Sequence, residues 1–305
     1  MPRAIYGAAY PFLPRSEILS FEEIARVVRL FVDLGVGKLR LTGGEPLLRR
    51  DLHRLVAMVS PLPGLRDFAL TTNGSLLAEQ AAGLREAGLH RVTVSLDSLD
   101  PERFAAINDT GVPVARVLAG IEAAHAAGFS PVKINMVVKR GVNEADVIAM
   151  AQRFRGSSYV LRFIEYMDVG ATNGWQLADV IPAAEIIETI SRELPLEPLP
   201  PNCAGETARR FRHAGGGGEI GIIASVSQPF CGGCSRARMT ADGRLYPCLF
   251  ASRGLDLREP LRAGCTDEAL RELVHGWWNG RRDRYSEERV GAVRAGKVEM
   301  SRVGG

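Results

Sequence analysis

Apolar stretches in this 305-residue chain are short, and none reaches the roughly 18 residues that a membrane-crossing helix requires. No charged-then-apolar leader opens the sequence, so it reads as a soluble, cytoplasmic protein. Cysteine is scarce and unevenly placed. The five cysteines stand at 203, 231, 234, 248 and 265, with none before residue 203. An odd number, three of them clustered, is a poor disulfide framework and suits metal ligation in a reducing compartment better. A phosphate loop is also missing. The run Gly215 to Gly218 is followed by no Lys-Ser or Lys-Thr pair and reads as a flexible turn. Nor is there a strong excess of one charge. The net charge of +3 is spread along the chain, which gives no footprint for nucleic acid but suits a small anionic substrate.

What is present is a regular alternation. At 46% hydrophobic, the chain can bury one large core and a smaller appendage. Ser20 followed by Glu23 predicts a capping box, and Phe21 to Leu34 carries apolar residues at helical spacing. A short strand-like run follows over Lys38 to Leu41. Helical stretches near 51–60, 77–87, 113–127 and 143–154 then alternate with apolar runs near 67–71, 90–96, 131–138 and 158–165. This rhythm predicts an α/β fold of βα units around a parallel sheet. Such a series should open on a strand, yet here it opens on a helix. Residues 1–14 contain Pro2, Pro11 and Pro14 and cannot supply a central strand. After about residue 170 the rhythm changes. Pro195, Pro198, Pro200 and Pro201 mark loops, and Asp242-Gly243 reads as a hairpin turn. The expected organisation is a partial barrel over 1–170 and a carboxy-terminal extension over 171–305, packed on the barrel and adding no further βα repeat.

Cys231-Gly-Gly-Cys234, then thirteen residues, then Cys248 is the sharpest chemical signal. Two thiolates on a glycine turn can face one metal, and a third arrives across the hairpin. Zinc would want a fourth protein ligand, for which Cys203, His213 and Cys265 are candidates. Three thiolates with an open position suit a [4Fe–4S] cluster. Spacing alone leaves both open, as it does three inert buried cysteines. Arg236 and Arg238 stand two apart in an extended segment, so both face the same way, and guanidinium forks match phosphate. Thr42-Gly-Gly-Glu-Pro46 closes a strand, where barrel active sites are built. Glu45 there is a candidate acceptor for an ammonium group. Arg40, two residues before Thr42, should point to the same interior. Further strand ends carry Thr71, Ser95 with Asp97, and Arg162 with Glu165, Met167 and Asp168, while Lys133 lies within a strand. Singly each reads as a turn residue or a satisfied polar group; at five successive strands they predict a functional mouth.

The stretches Phe12 to Ser16, Leu41-Thr-Gly-Gly-Glu-Pro-Leu-Leu-Arg-Arg-Asp51, Leu70 to Gly74, Val94 to Asp97, Arg162 to Gly170, Ser225 to Ser227, Cys231 to Cys248 and the closing Gly304-Gly305 occur in one order. In that order they are similar throughout to the GTP 3',8-cyclase family of radical S-adenosylmethionine enzymes, which opens molybdenum cofactor biosynthesis. The resemblance implies an incomplete (βα)6-type barrel with a carboxy-terminal cluster-binding extension. It implies a lyase that makes 3',8-cyclo-7,8-dihydro-GTP: a 5'-deoxyadenosyl radical takes hydrogen from C3' of GTP, and C3' attacks guanine C8. Carried over residue by residue, Gly44, Ser95 and Met167 are implied S-adenosylmethionine contacts. Arg40, Thr71, Lys133, Arg236 and Arg238 are implied GTP contacts. Cys231, Cys234 and Cys248 are implied ligands of a carboxy-terminal [4Fe–4S] cluster, and the Gly304-Gly305 tail is implied to reach the active site. Cyclic pyranopterin monophosphate synthase is the implied pathway partner, and a homodimer is admitted. The family's radical cluster is held by Cys-x3-Cys-x2-Cys followed by Met-Pro, whereas this sequence opens Met1-Pro2. The resemblance therefore places those ligands, the first strand and a GTP-contacting arginine upstream of it. The alternative reading is a fragment that holds GTP and one cluster without making radicals.

Overall fold

The computed structural model describes residues 12–156, 158–170, 174–203, 205–289 and 298–299. Gly304-Gly305 lies outside them. The first helix, α1 (Phe21–Asp33), starts at the expected capping box. The Ser20 hydroxyl accepts from Glu23 N–H at 3.1 Å, and the Glu23 carboxylate accepts from Ser20 N–H at 2.7 Å. The alternation then runs β1 (Lys38–Leu41), α2 (Leu52–Val59), β2 (Asp67–Thr72), α3 (Leu77–Glu86), β3 (Arg91–Ser95), α4 (Pro101–Asn108), α5 (Val114–Ala126), β4 (Val132–Val138), α6 (Val147–Phe154) and β5 (Tyr159–Glu165). Helix α4 is the element that periodicity does not reveal. Its signal is local: Asp100 caps the Arg103 N–H at 2.8 Å, and Pro101 occupies the first turn.

Strands β1 to β5 form a parallel sheet in chain order. Among the described residues β1 pairs with β2 alone and is the sheet's edge. Alternation within strands sorts their side chains. In β4, Val132, Ile134, Met136 and Val138 are buried in the main core, while Lys133 and Asn135 between them stay half-buried.

The chain beyond residue 170 does more than pack on this sheet. Helix α7 (Ala183–Glu193) is followed by a hairpin of β6 (Leu196–Leu199) and β7 (Arg209–His213), and then by β8 (Glu219–Ile223). Strand β8 pairs parallel with β5, so β5, α7 and β8 make one more βα unit with a hairpin inserted. This corrects the expectation of no further repeat. The prolines obscured it, because Pro198 lies in β6, and β6 is tolerant of proline as the far edge of the sheet. The run Gly215 to Gly218 is the expected turn, with all four φ angles positive.

A small antiparallel sheet follows, built from β9 (Arg238–Met239), β10 (Arg244–Tyr246) and β11 (Leu255–Asp256), with the hairpin turning at Gly243. Helices α8 (Arg258–Arg262) and α9 (Asp267–Asn279) are the last regular elements among the described residues. A second core joins Leu19, Val27 and Leu30 to Leu245, Leu257, Leu261, Leu270 and Val274. The Arg26–Asp267 ion pair at 2.8 Å and the Leu19 N–H to Ala241 C=O bond at 2.8 Å reinforce it. These contacts hold the β9–β10 hairpin over the sheet. No helix among the described residues is long and apolar enough to cross a membrane.

Candidate functional site

A cleft of about 2420 Å³ opens between the parallel sheet and the extension. Its floor comes from the half-buried positions of the strands and its far wall from the segment 230–250.

Arg40 of β1 donates to Thr71 Oγ1 at 2.7 Å and to Thr93 Oγ1 at 3.2 Å, which lays its guanidinium across β2 and β3. Arg162 of β5 reaches the same Thr93 hydroxyl from the other side at 3.4 Å. Lys133 of β4 faces the same space. Burial, then Arg162 and Arg91, push the Lys133 ammonium down to about 8. Burial, then Arg40 and Arg91, push Arg162 down to about 9. The carboxylates nearby are engaged elsewhere. Asp67 pairs with Arg91, and Glu219 accepts from Arg210 at 2.9 and 2.6 Å. The floor thus carries three crowded, desolvated cations, an arrangement that favours an anionic ligand.

Cys231, Gly232 and Gly233 form a single helical turn, closed by Cys234 N–H donating to Cys231 C=O at 3.0 Å. Two side chains brace it. Arg281 donates to Cys234 C=O at 2.9 Å, and Glu287 accepts from Gly232 N–H at 3.0 Å. Burial works against the Cys234 thiolate, but the Arg236 N–H and guanidinium and Arg281 outweigh it, so this thiol lies below its ordinary range. Burial pushes the Cys248 thiol up, with the charges of Asp283, Cys231 and Cys234 adding to that. The three thiols are free and line the one cleft. Among the described residues no three His, Cys, Asp or Glu side chains gather closely enough for a single metal ion.

Arg236 and Arg238 line the cleft together, as their spacing predicts. Arg236 is exposed, lies over the Phe230 ring at 5.1 Å and donates to Cys234 Sγ at 3.3 Å. Arg238 is half-buried. Burial, then Arg236, push it down to about 10 while the Cys248 and Cys234 thiols pull the other way. After burial, Arg236 adds to the lowering of Arg40, and Arg40 to that of Arg238, so the cations of floor and wall face each other.

Gly44 and Met167 also line the cleft, and Ser95 does not. Ser95 ends β3, where Leu96 N–H turns to Asn135 C=O at 2.8 Å and hugs the exit of β4. Glu45 is occupied by its own fold: it accepts from Thr72 Oγ1 at 2.7 Å, Asn73 N–H at 2.7 Å and Leu47 N–H at 3.0 Å, stapling two strand exits together. Glu45 also lines the cleft, so these bonds fix its carboxylate at the exit of β1.

Comparison with known proteins gives this cleft its context. Residues 4–154 match the family described as "Radical SAM superfamily", and residues 159–287 match "Molybdenum Cofactor Synthesis C". The chain is 56% identical over 294 residues to the GTP 3',8-cyclase of Acidothermus cellulolyticus, spanning 95% of this chain and 81% of that protein. The chain belongs to the GTP 3',8-cyclase family. The cyclase of Xanthomonas axonopodis pv. citri is 52% identical over 288 residues, spanning 94% of this chain and 86% of that protein. That of Staphylococcus haemolyticus is 42% identical over 310 residues, spanning 100% and 91%. Membership makes this a radical S-adenosylmethionine enzyme, of a superfamily that works with S-adenosylmethionine and a [4Fe–4S] cluster. The boundary between the two family matches, at 154–159, falls just before β5, a strand shared by both parts of the sheet. Arg162, one of the strand-end residues that predict a mouth, lines the cleft as well, together with Arg91 and Asn135, which sequence reasoning did not single out.

Proposed function

We propose that this chain carries the GTP-binding and cluster-binding machinery of a GTP 3',8-cyclase, which joins C3' of the GTP ribose to guanine C8 in the first step of molybdenum cofactor biosynthesis. One observation carries this reading. Desolvated cations on the floor, Arg40, Lys133 and Arg162, face the half-buried Arg238 and the exposed Arg236 on the wall, beside three free thiols. A triphosphate would neutralise the repulsion between floor and wall, and guanidinium forks would fix its oxygens. Thr71, which already positions Arg40, would add a hydroxyl contact.

Cys231, Cys234 and Cys248 would hold a [4Fe–4S] cluster. The donor set suits it: three thiols line the one cleft, and Cys248 lies near enough to Cys231 and Cys234 to sense their charge. Such a cluster, when bound, supplies an iron with an open position to which the guanine can coordinate. Arg236 and Arg281 favour the thiolate at Cys234, the form a cluster needs. Gly44 and Met167 would contact S-adenosylmethionine, Gly44 by offering bare backbone at the β1 exit. Ser95 is assigned the same role from its place at the β3 exit. A second cluster, the one that generates the radical, finds no ligands within residues 4–154, because that span contains no cysteine. The cyclised product would be consumed by cyclic pyranopterin monophosphate synthase.

Calorimetry of the anaerobic, cluster-loaded chain with GTP, guanosine and ATP tests this reading. GTP is expected to bind, guanosine to bind far more weakly for want of phosphates, and ATP to lack the guanine contribution. Absence of GTP binding would overturn it.

A further inference from the structure

The end of β5 and the Cys248 loop come from different parts of the chain, and a small separate core joins them. Val169, Phe250 and Tyr285 are its buried members, with Met167, Cys248 and Leu249 packed against them. At its centre the Tyr285 hydroxyl donates to Asp168 Oδ2. Arg289 Nη2 lies 2.9 Å from Asp168 Oδ1, and the two side chains are only 8% and 2% exposed. The Arg289 guanidinium is enclosed by rings, with Trp175, Phe250 and Tyr285 centroids at 5.8, 5.4 and 5.7 Å. Phe250 stacks on Tyr285 at 4.5 Å and 22°. Arg289 Nη1 also donates to Ser225 C=O at 3.3 Å, just past β8. Gly170 closes the same segment. A Cβ there would collide with the Glu299 carboxylate, so the chain passes tightly on that side too.

This is a costly arrangement for a merely decorative contact. An ion pair taken out of water contributes little net stability over an apolar core, but it fixes geometry, since each partner tolerates few alternatives. Here the fixed geometry lies between Asp168, adjacent to Met167, and Phe250, two residues after Cys248. Burial, and after it the Asp168 carboxylate, push the Tyr285 phenol well above its ordinary range, so the hydroxyl remains a donor throughout neutral pH.

We propose that Asp168, Tyr285 and Arg289 are positioning residues that clasp the Cys248 loop to the Met167 strand end and so set the width of the cleft where its two ligands meet. The proposal rests on the reading of Met167 and Cys248 given above for the purpose of the clasp, while the clasp itself is tested without either cofactor.

In the cluster-free full chain, the alkylation rates of Cys231, Cys234 and Cys248 are measured for wild type, Tyr285→Phe and Asp168→Asn, alongside GTP affinity by calorimetry. Phenylalanine keeps the stack on Phe250 and removes the hydroxyl; asparagine keeps an acceptor for Tyr285 and removes the charge facing Arg289. Cys248 is expected to react roughly tenfold faster in each variant, as a local opening eased by one charge-assisted hydrogen bond predicts. Cys231 and Cys234 should keep their wild-type rates, and GTP affinity should fall. Unchanged Cys248 reactivity in both variants would overturn the clasp. So would equal acceleration at all three thiols, which means general unfolding, or unaltered GTP affinity alongside a freed Cys248, which means support of the loop and nothing more. Failure of the GTP reading shows separately, as absent binding to the cluster-loaded wild type, and the thiol rates then decide the clasp alone.

Discussion

Arg162 and Gly221 are register partners across β5 and β8, and a Cβ at position 221 would come within 2.9 Å of Arg162 Cγ. Gly221 keeps an ordinary strand conformation, so the requirement is for space and not for backbone freedom. Its missing side chain is the volume that the Arg162 stem occupies on the way to Thr93. Gly221→Ala is therefore expected to destabilise the fold by about 1–3 kcal/mol through overpacking. It should also displace the guanidinium and weaken GTP binding. Urea denaturation and calorimetry together check this, and a variant matching wild type in both would show that Arg162 is not confined by Gly221.

Lys133 makes GTP binding depend on pH. Its ammonium is pushed down to about 8 in the free cleft, against an ordinary value of 10.5. A bound triphosphate stabilises the charged form and raises that value. Below about pH 8 the lysine is charged with or without ligand, and there is no linkage. Above about pH 8 the free cleft has lost the proton, so binding must take one up and affinity falls as pH rises. Calorimetry near pH 7.5 and near pH 9, in buffers of different ionisation heat, reads both effects. Equal affinity at the two pH values with buffer-independent heats would contradict this.

The thiol site predicts a sharp division among the five cysteines. Cys231→Ala, Cys234→Ala and Cys248→Ala should each abolish the reconstituted iron–sulfur cluster. Cys203→Ala and Cys265→Ala should not, because Cys203 meets Lys38 Nζ at 3.4 Å and Cys265 packs in the second core. Iron and acid-labile sulfide analysis decides the matter, and one zinc per chain without sulfide would replace the cluster by a structural metal.

Arg236 and Arg238 should separate in mutagenesis although they line one cleft. Arg238→Ala removes a desolvated guanidinium, and loss of such a charge-assisted contact costs on the order of 1.5–3 kcal/mol, so GTP affinity should fall roughly ten- to hundredfold. Arg236 is exposed and already bonded to Cys234 Sγ, so Arg236→Ala should affect GTP less and raise the Cys234 thiol more. Arg238→Lys should not restore full affinity, because a point charge lacks the fork. Calorimetry and thiol titration measure the two effects, and equal losses of GTP affinity would refute the division.

Much of this was legible in the residues themselves. The alternation of helices and strands to residue 165, the capping box and the hairpin at Gly243 follow from periods and turn chemistry that act locally. The cleft position Lys133 was visible as a polar residue inside the apolar run of β4, and Asn135, two residues on, shares its side of the strand. The strand character of β8 is legible in its apolar run too, but its pairing with β5 is not, because that pairing spans an inserted hairpin and leaves no periodic trace. Arg162 is a strand-end arginine like many others until Gly221 opposite it makes room. The Asp168–Tyr285–Arg289 group joins residues more than a hundred positions apart, a relationship that spacing cannot encode.

Helix α1 has two apolar sides, one in the main core through Ala25 and Val28 and one in the second core through Val27 and Leu30. During translation those sides are served at very different times. The second waits for partners such as Asp267, 241 residues after Arg26. At about 5–20 residues per second, that wait is roughly 12 to 48 s on the ribosome. For that interval the nascent chain presents an open hydrophobic stripe on α1, so residues made much later govern when this helix becomes safe from aggregation.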